Sequence, residues 1–302
     1  MKKISWYFIL MFIFALLSLT LTGCGKQTAV TDIEENPATV PQETVQPVEQ
    51  APQPTEELPA VETPSSPVSA ENQTVNWYYV RNQDHKTPRI NTDIDFCLAD
   101  YDAYYIGSKE KVIFLTFDEG YENGYTAEIL DTLKVNQVPA AFFVTGPYIT
   151  SNPELVKRMV AEGHIVGNHS QTHPSMPAKT SDPEAFKREI TDVEKSFLDL
   201  TGQEMPKYIR PPRGEYSEKS LQMTKELGYK TIFWSFAYQD WLVDQQPDPE
   251  ASCQRIMQGT HNGQIMLLHA VSSTNTQILD RVIKDIQKEG YRFAPLTELE
   301  QI

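Results

Sequence analysis

Two neighbouring carboxylates (Asp118, Glu119), two histidines four residues apart (His169, His173), an arginine before two prolines (Arg210) and a late histidine (His269) follow one another along the chain. Metal-dependent hydrolysis of an amide needs those roles: ligands for an ion, a base for water, a partner that orients the base, and an acid for the leaving amine. Two adjacent carboxylates cannot share one task, so one suits metal binding while the other accepts a proton. One helical turn between His169 and His173 would put both rings on one side, a spacing suited to a single zinc-like ion. Pro211 and Pro212 force extended backbone, which places Arg210 to pair with Asp118 and keep it ionised. Asp240, before Trp241, is placed to hydrogen-bond the His269 imidazole and hold it protonated. Each fragment alone has a plainer reading: solvated acids at a strand end, unrelated surface histidines, a rim salt bridge, a satisfied core histidine. The ordered set is what points to chemistry.

Such residues need elements to bring them together. Short β-rich runs fall at residues 112–117, 140–145, 164–168, 208–210, 229–235, 264–269 and 291–293. Helical patterns lie between them, at 126–136, 153–163, 182–200, up to 227, 249–257 and 276–289, with Ile129, Leu130 and Leu133 sharing one face of the first. Strands alternating with helices imply a mostly parallel sheet, and about seven units would close into a barrel with its active residues at the C-terminal strand ends. Asp118, His169, Arg210, Asp240 and His269 each follow a proposed strand. The expected class is α/β.

The ends of the chain read differently. A basic start, Lys2-Lys3, and an apolar run over residues 4–21 read as an export signal over 1–23, with an uncleaved anchor as the alternative. Cys24 directly after Leu21-Thr22-Gly23 resembles the bacterial lipoprotein box, in which signal removal leaves a lipidated cysteine. Residues 25–75 hold eight prolines, nine acidic residues, one lysine and no aromatic residue. A segment of that kind cannot bury enough apolar area to order itself, so 24–75 reads as a disordered tether. Its reach lies between about 40 Å as a coil and about 160 Å as polyproline II. Of the formal charge of −15, the signal carries +2 and the tether −8, leaving −9 on residues 76–302. An acidic domain without a basic stripe argues against a nucleic-acid partner. Aromatic residues return at Trp77, and 76–110 reads as an irregular lead-in packed on a domain over 111–302. Cys97 and Cys253 either pair or stay as separate thiols; two are too few for a disulfide framework.

The five fragments and their order resemble the polysaccharide deacetylase family, the NodB-like carbohydrate esterases, over residues 112–299. The resemblance implies a distorted (β/α) barrel and a divalent ion, zinc with cobalt or manganese as substitutes, held by His169 and His173. It makes Asp118 the catalytic base, Arg210 its partner, Asp240 the tuner of His269 and His269 the general acid. Trp241 and Leu267 would line the acetyl pocket, and the Arg213 backbone N–H would assist the oxyanion. Two departures stand out. Glu119 occupies the place of a second, metal-binding aspartate and either reaches the ion or swings away, leaving two histidines and waters. Ala237 replaces the first aspartate of an Asp-x-x-Asp-Trp element.

The stretch Thr116-Phe117-Asp118-Glu119-Gly120-Tyr121-Glu122-Asn123-Gly124-Tyr125, Arg210-Pro211-Pro212-Arg213-Gly214 and the lead-in 77–105 look like the delta-lactam-biosynthetic de-N-acetylases. That implies removal of the acetyl group from N-acetylmuramic acid of peptidoglycan before closure to muramic δ-lactam, with Tyr121 among the substrate contacts. The family commonly has an aromatic residue at Arg213. Its guanidinium is expected to bind the free lactyl carboxylate of muramic acid lacking a stem peptide, with a structural surface arginine as the alternative. Expected partners are therefore glycan strands, and the membrane through Cys24, for a monomer outside the cytoplasm. Rival readings are deacetylation of N-acetylglucosamine in peptidoglycan or chitin, and a wall-binding lipoprotein without catalysis.

Overall fold

Side-chain parity along one strand organises the molecule. In the computed structural model, which describes residues 72–81, 83–91 and 94–300, that strand is the longest of twelve. The expected signal, Cys24 and the tether up to residue 71 lie outside the described residues. The lead-in supplies β1 (Val75–Asn76), β2 (Tyr79–Val80), β3 (Arg89–Ile90) and β4 (Ala103–Tyr104). Then come β5 (Val112–Glu119), β6 (Ala140–Val144), β7 (Ile165–Asn168), β8 (Tyr208–Ile209), β9 (Glu215–Tyr216), β10 (Lys230–Ile232), β11 (Gln264–His269) and β12 (Arg292–Phe293).

The main sheet runs β11-β5-β6-β7-β8-β10-β4 with every pair parallel, and β12 pairs with the start of β5. Its two ends meet through single bridges, Phe236 to Met266 and Ile106 to Gln264, so the seven-strand path curls into a distorted barrel. All seven strands expected from the apolar runs are present.

Alternate residues of a strand face opposite sides. In β5, Ile113, Leu115 and Phe117 face outward into the layer shared with Ile129, Leu130 and Leu133 of α1 (Thr126–Asn136). Val112 and Phe114 face inward and, with Ala141, Phe143, Ile232 and Ile265, fill the barrel floor. Phe117 is fully buried, a burial worth about 1.5–3 kcal/mol. Gly167 of β7 is a packing requirement, because a Cβ there would sit 2.8 Å from the Phe143 ring.

The remaining helices are α2 (Gly146–Ser151), α3 (Pro153–Ala161), α4 (Met176–Lys179), α5 (Pro183–Thr201), α6 (Glu218–Glu226), α7 (Pro249–Gly259) and α8 (Ser273–Lys288). Several begin where a short polar side chain caps the first turn: Asp182, Ser217, Asp248 and Ser272 each accept a backbone N–H three residues on. α2 and α4 were not expected; at six and four residues they are too short to display a period.

The lead-in is less irregular than its sequence reads. β1 pairs with β9, β4 joins the main sheet, and Trp77 stacks on Phe233 at 4.3 Å between ring centroids. Two-residue strands leave no alternation to detect. Cys97 is exposed and Cys253 buried, and both are free thiols. No helix among the described residues is long and apolar enough to cross a membrane.

Candidate active site

The inward parity of β5 and β11 brings the chemistry together. The two strands pair in register, with His269 opposite Asp118, Leu267 opposite Thr116 and Ile265 opposite Phe114. All six side chains therefore point to the same side, and the upper pair opens into a cavity of ≈ 1130 Å³ at the C-terminal strand ends.

Arg210, immediately after β8, is wholly buried beneath that cavity. Its Nη1 donates to Asp118 Oδ1 at 2.8 Å, its Nη2 to Thr116 Oγ1 at 2.9 Å, and its Nε to the Ile232 carbonyl at 3.0 Å. The guanidinium also lies 4.4 Å from the Phe143 ring centroid. Burial works against a charged Asp118, but the charge and hydrogen bond of Arg210, with the charge of His269, outweigh it and hold the carboxyl below its usual range. Asp118 is therefore an ionised acceptor facing the cavity.

His169 Nδ1–H donates to the Arg210 carbonyl at 2.8 Å. A carbonyl only accepts, so the proton sits on Nδ1 and Nε2 presents its lone pair, 3.7 Å from Asp118 Oδ2. The His173 ring stands 4.9 Å from it, centroid to centroid. Burial, first among the causes, pushes His169 down to about 4 and lowers His173, which keeps both imidazoles neutral. No helix carries the pair, contrary to the expectation from their spacing. The rings meet because Ser170 (φ 66°) and His173 (φ 57°) adopt left-handed backbone in an irregular loop. Glu189 of α5 anchors that loop, accepting from Thr172 N and Thr172 Oγ1 at 2.8 Å each.

Across the cavity, Asp240 accepts from His269 Nδ1–H at 2.7 Å and from the His269 backbone N–H at 2.9 Å. Burial opposes a charged His269, yet the Asp240 charge and hydrogen bond, with help from Asp118, hold its pKa above the ordinary imidazole value. Asn275, in the first turn of α8, completes this arrangement: its Nδ2 donates to Asp240 Oδ2 at 2.6 Å and to the His269 carbonyl at 3.1 Å, and its Oδ1 accepts from the Tyr238 hydroxyl. Leu267 and Trp241 line the cavity beside His269, with the Trp241 ring 5.4 Å from the imidazole. Tyr121 (53 % exposed) and Arg213 lie on the rim. At Ala237 the Tyr79 hydroxyl donates to the backbone carbonyl and accepts the backbone N–H, so the lead-in braces the segment where an aspartate is missing.

Glu119 does not join the site. Next to Asp118 in β5, it takes the opposite parity and is absent from the cavity lining. Its carboxyl is fully buried with neither oxygen hydrogen-bonded, and burial followed by the charges of Glu122 and Asp118 raises its pKa well above the usual range. The expected carboxylate ligand is thus withdrawn to the outer face. Among the described residues no three His, Cys, Asp or Glu side chains converge as an ion site. The neutral, cavity-facing imidazoles of His169 and His173 fit a borderline divalent ion as two protein ligands, with further positions left to water and substrate. Asn275, Glu189 and Tyr79 are the site residues that sequence reasoning missed. Asn275 carried one signal, a polar residue three after Ser272 at a helix start, but that pattern serves ordinary capping equally well.

A parallel curled sheet carrying this base, histidine pair and acid defines a class: the chain belongs to the polysaccharide deacetylase family, and it is a hydrolase of carbon–nitrogen bonds other than peptide bonds. A sequence model described as polysaccharide deacetylase matches residues 106–232. The chain is 43 % identical over 229 residues, 76 % of its length and 86 % of the relative's, to peptidoglycan-N-acetylmuramic acid deacetylase PdaA of Bacillus subtilis. The solved structure of Bacillus subtilis PdaA, a family 4 carbohydrate esterase, superposes with a TM-score of 0.72 at 42 % identity, covering 76 % of this chain and 97 % of that one. A peptidoglycan-N-acetylglucosamine deacetylase of Bacillus cereus is 33 % identical over 66 % of this chain and 92 % of its own. Deacetylases of the family are metal-dependent in general.

Proposed function

We propose that the protein removes the acetyl group from N-acetylmuramic acid residues of peptidoglycan, releasing acetate and leaving a free amine that can close to a muramic δ-lactam. The observation that carries this reading is the opposed pair in one cavity, Asp118 held ionised by Arg210 and His269 held protonated by Asp240. His169 and His173 would hold a divalent ion, zinc in our reading, which would supply Lewis acidity to the hydrolysis. Asp118 takes the proton of that water, and His269 gives its own proton to the departing amine nitrogen. Leu267 and Trp241 wall the acetyl group.

Muramic acid is favoured over glucosamine by the name of the 43 %-identical relative and by Arg213, whose exposed guanidinium on the rim suits a free lactyl carboxylate. Its φ of 60° turns the side chain out of a tight turn in which its nearest carboxylate, Glu215, is 4.0 Å away. Deacetylation of N-acetylglucosamine is the second reading, favoured by the name of the Bacillus cereus relative. We further read residues 1–71 as a cleaved signal, a lipid on Cys24 and a spacer, ending before Val75 pairs into β1, which would hold a monomeric enzyme at the outer face of the cytoplasmic membrane.

The test is mass spectrometry of amidase-treated peptidoglycan before and after incubation with the full-length protein. One acetyl lost per muramic residue is expected, abolished by a chelator and restored by zinc or cobalt. Loss confined to glucosamine would favour the second reading. Equal losses for Arg213→Ala on muramyl and plain N-acetylglucosamine oligomers would remove the lactyl role.

A further inference from the structure

Residues 76–302 carry a formal charge of −9, yet the cavity surface has the opposite bias. Its one lining carboxylate is Asp118, which Arg210 already neutralises, while two guanidiniums, Arg81 and Arg213, reach its lining. Beside it lies a second depression of ≈ 230 Å³ lined by Arg81, Arg255, Gln83, Gln254 and Gln258, again without a carboxylate. Arg81 lines both, so the two spaces adjoin at that side chain. Arg158, Arg281 and Arg292 on the outer surface are committed to Asp131, Glu250 and Glu298. No described carboxylate pairs with Arg81 or Arg255. Arg255 is instead held against the ring of Tyr238, 5.9 Å from its centroid, and Gln83 Nε2 donates to Gln258 Oε1 at 3.3 Å.

A cavity of ≈ 1130 Å³ lies above the usual range for drug-sized ligands and admits more than one sugar. Two guanidiniums without a carboxylate partner among the described residues, flanked by amides, make a surface for an oxyanion and give an uncharged sugar little advantage.

We propose that Arg81 and Arg255 form an anion subsite, adjoining the catalytic cavity, that takes a carboxylate borne by the glycan strand beyond the reacting sugar. This rests on the muramic reading, because only muramic residues of such a strand carry one. The carboxylate comes from the lactyl ether of the neighbouring muramic residue or from its stem peptide.

Binding, not turnover, provides the test. Calorimetry on the full-length Asp118→Asn protein compares muramyl disaccharide, muramyl tetrasaccharide with free lactyl groups, and chitin oligomers of the same lengths. The muramyl tetrasaccharide should gain about tenfold over its disaccharide beyond the gain chitin shows, the size of one charge-assisted contact, and should lose that gain at high salt. Arg81→Gln/Arg255→Gln should bring the muramyl gain down to the chitin gain. Arg81→Lys/Arg255→Lys should keep its salt dependence in part. An unchanged muramyl gain in the double glutamine variant, a parallel drop on chitin, or a salt-independent gain in the Asp118→Asn protein with both arginines intact would overturn the proposal. A tetrasaccharide with a stem peptide on its outer muramic residue identifies the source: an intact gain assigns the stem carboxylate and a lost gain the lactyl one. Failure of the full-length protein to release acetate from muramyl glycans would instead count against the proposed function.

Discussion

At the scale of single residues, the site is a division of labour enforced by neighbours. Asp240 is the clearest case, since it does most to oppose the deprotonation that burial favours at His269. Its carboxylate raises the His269 pKa, so the proton is retained above the ordinary imidazole range and activity should fall only as pH rises past that raised value. Asp240→Asn should shift the alkaline limb of kcat to lower pH, and Asn275→Ala should shift it the same way with about a tenfold loss in kcat and little change in KM. A pH profile unmoved in both variants would leave Asn275 a mere cap. Glu119 makes the opposite point. Because its carboxyl faces away from the imidazoles, Glu119→Gln should leave zinc affinity within about twofold of the parent, whereas His173→Ala should lose about tenfold or more, read by competition with a chromophoric chelator. Asp118, Arg210, His169 and His269 were legible because such residue types, in that order after apolar runs, have few other uses. Glu119 misled because adjacency to Asp118 says nothing about which face of the strand each takes.

At the scale of elements, the long apolar runs announced themselves and the short pieces did not. β5, β6 and β11 are five to eight residues long and buried on both faces, so composition alone marks them. The histidine loop is the instructive miss: a four-residue interval suits a helix, but left-handed Ser170 and His173 do the same work with a tether to Glu189. The lead-in is the other, since its strands have two residues each and its main anchor is one tryptophan. Trp77 stacks on Phe233, donates Nε1–H to the Trp234 carbonyl at 2.9 Å, and donates its backbone N–H to Gly214 at 2.8 Å. It thereby holds the turn that presents Arg213. Trp77→Ala should cost about 3–5 kcal/mol in a denaturation experiment and raise KM more than it lowers kcat. Retained stability would mean that the segment merely rests on the barrel.

For the whole molecule, acid sensitivity should come partly from a histidine outside the site. His261 is buried under the barrel, with Nδ1–H donating to the Gly259 carbonyl at 2.7 Å and Nε2 beside Ser235 Oγ at 2.8 Å. Burial pushes its pKa down to about 4, so the fold prefers the neutral ring. Its stabilising effect is complete above the unfolded value near 6.5 and disappears as pH falls through about 4. His261→Gln should therefore flatten the decline of Tm over that window relative to the parent. An unaltered slope would assign the decline to the other histidines that burial depresses, His164, His169 and His173.

The in-register pairing of β5 with β11 has one more consequence. Proton acceptor and proton donor are separated by the pitch of the sheet, about 4.8 Å between neighbouring strands, rather than by the reach of any flexible arm. That backbone ruler leaves the rim loops free to be rewritten for new sugars without recalibrating the reaction. A single-residue insertion in either ladder, however, would turn one of the two groups inside out and end catalysis at a stroke.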